Sequence, residues 1–341
     1  MAKNNSSCLT CAGINLSTGV NDDLSNTSKL GNLSAHAQFR ICTFFGVTVI
    51  QYNYFHVMAE LLVALNVLAC IPTIFLNIVA IVTIRRMNQL FSSSLVFLCG
   101  LALTDLLVGL VVQPMFVGYL ISAVYGKWKV NCALHVLIYV IGTILTGASL
   151  LTITAISVER YLALRLQNRF RTVVTPRRVI GCLVVIWIAL ATVSLLYFWN
   201  RMLVQASTGF IIVMTTVIIF LSYLRIFLLL KEYRNKIHSS KSEQHPPLHL
   251  AKYRKTVITS LYIVTTLFIC YLPWLSSVVA IVILGYTRAL YGAFHVASTF
   301  VYLNSLLNPI LYCWRIRDFR RAFQGVVRQA FCAPQKVTQG T

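Results

Sequence analysis

Long uncharged runs separated by short charged clusters dominate this chain. From Val130 to Val158, 29 residues pass without an Asp, Glu, Lys or Arg. Similar runs separate Arg178 from Arg201, Arg201 from Arg225, Lys255 from Arg288, and Arg288 from Arg315. Residues 41–84 hold one charge, Glu60, and residues 87–126 hold one, Asp105. An apolar helix of about 20 residues crosses the hydrocarbon core of a bilayer. The pattern therefore predicts an all-α membrane protein, a bundle of seven transmembrane helices near residues 57–84, 91–119, 130–160, 179–198, 202–223, 252–284 and 290–313. After the last span, Ile316, Phe319 and Phe323 alternate with basic residues through Gln324, the spacing of a short amphipathic eighth helix on the inner leaflet. The chain divides into an outer tail (1–50), the seven-helix domain (51–314), the amphipathic helix (315–326) and an inner tail (327–341).

Composition supports the membrane reading. The chain is 58% apolar and 11% charged, with a mean hydropathy of +0.76, which excludes a soluble globular protein of this size. A net charge of +21 first suggests a nucleic-acid partner. Its distribution argues otherwise, because 22 of the 29 Lys and Arg fall on one side of the predicted membrane. That excess marks the cytoplasmic side and attracts anionic lipid. The expectation is a multi-pass plasma-membrane protein with its N-terminus outside and its C-terminus in the cytoplasm.

The outer tail carries five Asn-x-Ser/Thr sequons, at Asn4, Asn5, Asn15, Asn26 and Asn32, and none follows. They are expected glycosylation sites. No basic segment precedes an early apolar run, so the first span is expected to act as the targeting signal. Ile41 to Ile50 is apolar; it reads as the approach to the first helix, with a lid over the outer face as the alternative. The inner segment Glu232 to Ala251, with Ser239, Ser240, Ser242 and Pro246-Pro247, reads as a flexible linker with phosphorylation sites.

Several polar residues stand where lipid would penalise them. Asn77 in span one needs a partner on another helix. Asp105 lies 19 residues after Arg86 and 22 before Lys127, near mid-membrane, where an acid marks a functional site by default. Its bland alternative is a protonated structural Asp. Ser149, eleven residues before Arg160, lies about 16 Å above it, at a comparable depth. Pro273 and Pro309 each remove a helix hydrogen bond and predict kinks in spans six and seven. Glu159, Arg160 and Tyr161 close span three at the membrane surface, where the acid and the arginine can pair; the alternative is an arginine that only snorkels.

Taken in order, these residues resemble the rhodopsin-like (class A) G-protein-coupled receptors from about residue 57 to 325. Asn77 matches the family's span-one Asn, and Leu101-Ala102-Leu103-Thr104-Asp105 its Leu-Ala-x-x-Asp motif. Glu159-Arg160-Tyr161 stands for Asp/Glu-Arg-Tyr, and Trp187 and Tyr223 match residues of spans four and five. Cys270-Tyr271-Leu272-Pro273 stands for Cys-Trp-x-Pro, and Asn308-Pro309-Ile310-Leu311-Tyr312 for Asn-Pro-x-x-Tyr. The resemblance implies a receptor rather than an enzyme, with an extracellular ligand, a heterotrimeric G protein and membrane lipids as partners, arrestin and a receptor kinase as further ones, and no nucleic acid. It assigns coupling and activation to Glu159, Arg160, Tyr161, Tyr223, Tyr271, Pro273, Asn308, Pro309 and Tyr312. It implies no cofactor beyond an allosteric Na⁺ held by Asp105, Ser149, Asn304, Ser305 and Asn308. The implied ligand pocket is Gln113, Tyr139, Thr143, Thr146, Tyr271, Trp274, Phe294, Ser298 and Tyr302. Cys332, after the amphipathic helix, is an expected palmitoylation site.

Departures from the family narrow the likeness. His135 stands where most members have a bridging Cys, and no Cys falls between Leu183 and Ile269 to complete a loop bridge. Span five has no proline, and the outer loop before it is about five residues. These features are similar to the melanocortin receptors, and more loosely to the cannabinoid and adenosine groups. Cys132 pairs with Cys8, Cys11 or Cys42, or stays a free thiol. Gly142 stands where amine receptors carry an ammonium-binding Asp, and Met115, His135 and Tyr139 replace the melanocortin acids, so a neutral or apolar small ligand or a weakly charged peptide is expected. Tyr253 stands where many members carry an acid opposite the span-three arginine, and Tyr271 lacks the bulk of the usual tryptophan. Both predict basal signalling, against a counter-reading in which Glu159 alone suffices.

Other membrane functions fare less well. Residues 289–314 hold no Lys for a retinal Schiff base, and Glu60 sits too far out to form a protease pair with Asp105. The remaining alternative is a transporter, or a proton- or metal-sensing receptor, using Asp105 and the outer histidines His56, His135 and His295; no internal repeat favours a transporter.

Overall fold

The structure, a computed structural model, describes residues 39–44, 47–52, 56–87, 93–239, 248–285 and 287–331. The sequons, Cys8, Cys11, Cys332, Ser240, Ser242 and Pro246-Pro247 lie outside them, as do the side chains of Cys42 and Tyr253. Seven helices are long and apolar enough to cross a membrane: His56–Arg86, Ser93–Val124, Trp128–Leu166, Pro176–Phe198, Ser207–Glu232, Ser260–Leu284 and Arg288–Arg315. We number them as spans one to seven. An amphipathic helix, Arg317–Phe331, follows span seven. Below, "inner" means the Arg160 end of the bundle, following the charge distribution.

Helix ends follow local chemistry. Thr175 caps span four, its side chain accepting from the Arg178 N–H at 3.4 Å, and Pro176 occupies the first turn, where its missing donor costs nothing. Thr287 caps span seven in the same way through the Leu290 N–H at 3.2 Å. Gly285 follows the last residue of span six with φ +80, a conformation that favours glycine. The helices of spans six and seven run through Pro273 and Pro309, and span one also holds Pro72.

Three segments differ from the sequence reading. Residues 39–52 are not a plain approach to span one. Their described residues form two antiparallel strands, β1 (Phe39–Phe44) paired with β2 (Val47–Tyr52), with Ile41 opposite Ile50. β1 lies against the span-three helix. The inner linker is shorter than expected: the span-five helix continues to Ser239 and the span-six helix begins at Leu248. Span two is interrupted by a π-helical turn at Val108–Val112, which adds a residue to the helical register.

Packing sorts the side chains by face. Leu68, Ile71, Val185 and Phe210 are exposed, as lipid-facing residues should be. Inside, Leu101, Leu150, Ile153, Leu267 and Tyr312 build an inner cluster. Phe116, Tyr119, Leu145, Tyr291 and Tyr302 build an outer one. Asn77 donates to the Ser305 carbonyl at 3.1 Å, and Asn66 to the Thr299 hydroxyl at 3.0 Å. Both bonds join span one to span seven, so the NH2 group of each buried amide finds an interhelical acceptor.

Candidate functional site

A cavity of about 140 Å³ opens in the outer half of the bundle. Its lining includes Tyr139, Thr143, Thr146, Tyr271, Trp274, Phe294, Ser298 and Tyr302, eight of the nine residues expected from sequence. Gln113 is the exception. It is fully buried but absent from the lining, and both its amide atoms lack hydrogen-bond partners among the described residues. The π turn immediately before it explains the shift, since an added residue rotates everything beyond it about the helix axis. Phe116 and Tyr119 take the inward positions instead.

The cavity wall also holds residues the sequence reading missed, notably Leu190, Thr208 and Ile212. His295, read as a residue of an outer helix end, is buried seven residues into span seven. Its imidazole meets the Tyr291 ring edge-on at 4.6 Å and lies 5.4 Å from the Tyr119 ring. Tyr119 and Tyr291 hydrogen-bond through their hydroxyls. His135 also lines the cavity, while His56 is exposed. Among the described residues no three His, Cys, Asp or Glu side chains gather as a metal site.

Short connections organise the outer rim. Asn131 donates to the Tyr119 carbonyl at 2.7 Å and so ties the start of span three to the end of span two. Tyr197, in the turn that ends span four, stacks on Tyr139 at 4.2 Å. Ser194 donates to the Val140 carbonyl at 2.7 Å. Cys132 is disulfide-bonded, which sets aside the free thiol. At the cavity floor the Tyr271 hydroxyl donates to the Thr146 carbonyl at 3.2 Å, linking span six to span three.

Below that floor lies a buried polar layer. Asn308 donates to Asp105 Oδ2 at 2.8 Å, and Ser149 Oγ is 3.4 Å from Asp105 Oδ1 and 3.0 Å from Thr104 Oγ1. Asp105, Ser149, Asn304, Ser305 and Asn308 are all buried. The side-chain oxygens of Asn304 and Asn308 are buried without a hydrogen-bond partner.

At the inner end Arg160 Nη2 pairs with Glu159 Oε2 at 3.1 Å. Glu159 Oε1 accepts from Ser94 at 2.6 Å and lies 3.5 Å from Ser93, so span two holds the acid in place. Tyr161 accepts from Arg165, one turn on, at 2.7 Å. Tyr223 packs beside Leu164, Ile226 and Val257. Tyr312 is fully buried, its ring edge-on to Phe319 at 5.9 Å. Tyr223 also packs against the inner cluster that contains Tyr312, so the two tyrosines share one apolar wall near Arg160.

Comparison with known proteins agrees with this arrangement. The family model described as "7 transmembrane receptor (rhodopsin family)" matches residues 76–203 and 196–312. The dog histamine H2 receptor is 30% identical over 80% of this chain and 79% of its own length. The mouse 5-hydroxytryptamine receptor 6 is 25% identical over 76% of this chain and 69% of its own. The dog adenosine receptor A3 is 25% identical over 82% and 92%. The chain belongs to the rhodopsin family of seven-transmembrane receptors.

Proposed function

We propose that the outer cavity takes a neutral, largely apolar ligand, either a small molecule or part of a weakly charged peptide, and that its occupancy is relayed to a heterotrimeric G protein at the inner end. One observation carries this: among the described residues that line the cavity there is no Asp, Glu, Lys or Arg. An ammonium entering it would lose its hydration without meeting a counter-charge. Gly142 lines the wall where amine receptors carry their acid. The amines in the names of two relatives are therefore not carried over to this chain. Adenosine, named in the third, is uncharged and compatible with the wall. The aromatic lining suits a small ligand, with Thr143, Ser298 and Tyr139 for orientation.

The relay is a two-state equilibrium biased from both ends. At rest Glu159 holds Arg160. On activation span six swings outward about Pro273, and Arg160, Tyr223 and Tyr312 come to line the cavity for the G protein. Tyr271, which touches both the ligand cavity and span three, is the residue best placed to pass ligand occupancy to the hinge. Asp105, Ser149, Asn304, Ser305 and Asn308 fit a sodium ion: one carboxylate and two unpartnered amide oxygens are hard donors in a buried site. Bound there, the ion would supply the positive charge that a buried carboxylate requires. The receptor sits in the plasma membrane with a glycosylated tail outside and Cys332 palmitoylated inside. Arrestin and a receptor kinase act on the same inner face.

Basal signalling belongs to the same reading, because Tyr253 leaves the usual span-six acid missing. Screening neutral lipids, nucleosides and peptides against a G-protein panel tests the ligand class. A monoamine that activates at nanomolar concentration without any carboxylate would end the neutral-ligand reading. Agonist-free turnover at matched surface expression tests the basal one. Wild type should exceed both Arg160→Ala and Tyr253→Glu, and equality with either overturns it.

A further inference from the structure

Arg315, the last residue of span seven, places its guanidinium carbon 4.7 Å from the centroid of the Tyr262 ring of span six. The same guanidinium lies 5.2 Å from the ring of its neighbour Trp314. The two rings meet edge to face, 5.2 Å apart at 69°. One cation and two aromatic faces therefore bridge the inner halves of two spans. Trp314 is 57% exposed and Tyr262 40%, so both rings lie on the outside of the bundle. Nε of Arg315 is buried with no hydrogen-bond partner, and among the described residues no carboxylate pairs with the guanidinium. The aromatic faces are thus the main counterpart the structure offers this cation. A cation held over tyrosine and tryptophan is attracted to their electron-rich faces, and the attraction grows as water is excluded.

Tyr262 lies eleven residues before Pro273, about three helical turns toward the inner end. A rotation about Pro273 that carries the inner half of span six outward must draw the Tyr262 ring away from Arg315. Span seven ends at Arg315 and the amphipathic helix begins at Arg317, so the cation belongs to span seven and not to the helix that pivots about Pro273.

We propose that Tyr262, Trp314 and Arg315 form a cation–π latch that holds span six closed against span seven, in a receptor whose span six carries Tyr253 where an acid would meet Arg160. The latch uses ring faces, so it needs the aromatic ring of residue 262 and not its hydroxyl. It also predicts that residues 262 and 315 act as a unit. Removing either opens the same contact, and removing both gains nothing further.

The test is agonist-free G-protein turnover by the full-length receptor in membranes, at matched surface expression. Tyr262→Leu and Arg315→Gln should each raise turnover about five- to tenfold, the range expected for a partly desolvated cation–π contact. Tyr262→Phe should stay at the wild-type level. The double variant Tyr262→Leu/Arg315→Gln should be no more active than either single one. A label pair at the inner ends of spans six and seven supplies a second readout, and Tyr262→Leu should lengthen its mean distance without ligand. Three results overturn the latch: Tyr262→Phe as active as Tyr262→Leu, multiplying effects in the double variant, or an unchanged label distance in Tyr262→Leu.

Discussion

The Asn308 amide donates to the Asp105 carboxylate at 2.8 Å, so the Asn-Pro-x-x-Tyr segment of span seven is tied to the only acid inside span two. A sodium ion held by Asp105 and the unpartnered Asn308 oxygen would add its own contacts to that tie. Sodium should therefore lower agonist-free turnover relative to an equal concentration of a bulky organic cation. Asp105→Asn should abolish the difference, because it keeps the shape and removes the charge that recruits the ion. Persistent sodium sensitivity in Asp105→Asn would show that the ion acts elsewhere.

A second tie crosses the bundle one level higher, where Tyr271 donates to the Thr146 carbonyl at 3.2 Å. The sequence suggested that a tyrosine in place of tryptophan loosens the hinge. The Tyr271 hydroxyl adds a bond to span three, two residues before Pro273. Tyr271→Phe deletes only that oxygen. At about 1 kcal/mol for a net hydrogen bond, the open fraction should rise roughly fivefold while it is small. The measurement is agonist-free turnover, and an unchanged value would mean that the bond is equally strong in both states.

Much of this architecture is legible in the sequence, because lipid imposes a simple rule: charges mark the ends of spans, and polar residues within them seek partners. Asn77, Asp105 and Glu159 could be singled out on cost alone. The failures have local causes. The run Val108-Gly109-Leu110-Val111-Val112 is equally apolar as an α or a π turn, so nothing in it announces the extra residue that turns Gln113 off the cavity. The pairing of Phe39–Phe44 with Val47–Tyr52 is hidden in a stretch whose apolar content also suits the approach to a membrane helix. From Glu232 onward the chain is polar and charged, a composition that suits a linker and an exposed helix alike, and the helix runs on to Ser239. His295, expected at an outer helix end, is instead buried against Tyr291 and Phe116, a packing that nothing in the local sequence announces.

Ser94 holds Glu159 at 2.6 Å, and this bond orients the acid toward Arg160. Ser94→Ala should weaken the resting pair without removing either charge. Hydrogen bonds to charged groups contribute about 1.5–3 kcal/mol, so basal turnover should rise by about tenfold or more. Ser93→Ala should have a smaller effect, since its hydroxyl lies 3.5 Å away. The ratio of the two turnovers is the readout, and a larger response to Ser93→Ala would reverse the assignment.

Gly142 tests the electrostatic character of the cavity without any ligand in hand. A Cβ added there would meet Val112 Cγ1 at 3.9 Å and Ile138 Cγ2 at 4.0 Å, both ordinary van der Waals contacts. Gly142 lies within the span-three helix Trp128–Leu166, where alanine is favoured over glycine by about 1 kcal/mol. Gly142→Ala should therefore raise the apparent Tm of the purified receptor at a fixed scan rate. Gly142→Asp gains some of the same backbone benefit but places a carboxylate among Tyr139, Thr143, Trp274 and Tyr302, with no Lys or Arg in the described lining. An uncompensated charge in such surroundings costs roughly 3 kcal/mol, more than the backbone returns. The Asp variant should melt below wild type, and a millimolar protonated monoamine should restore part of the loss by supplying the missing counter-charge. An Asp variant as stable as the Ala variant would mean that a cation already faces this wall, and the neutral-ligand assignment would have to be withdrawn.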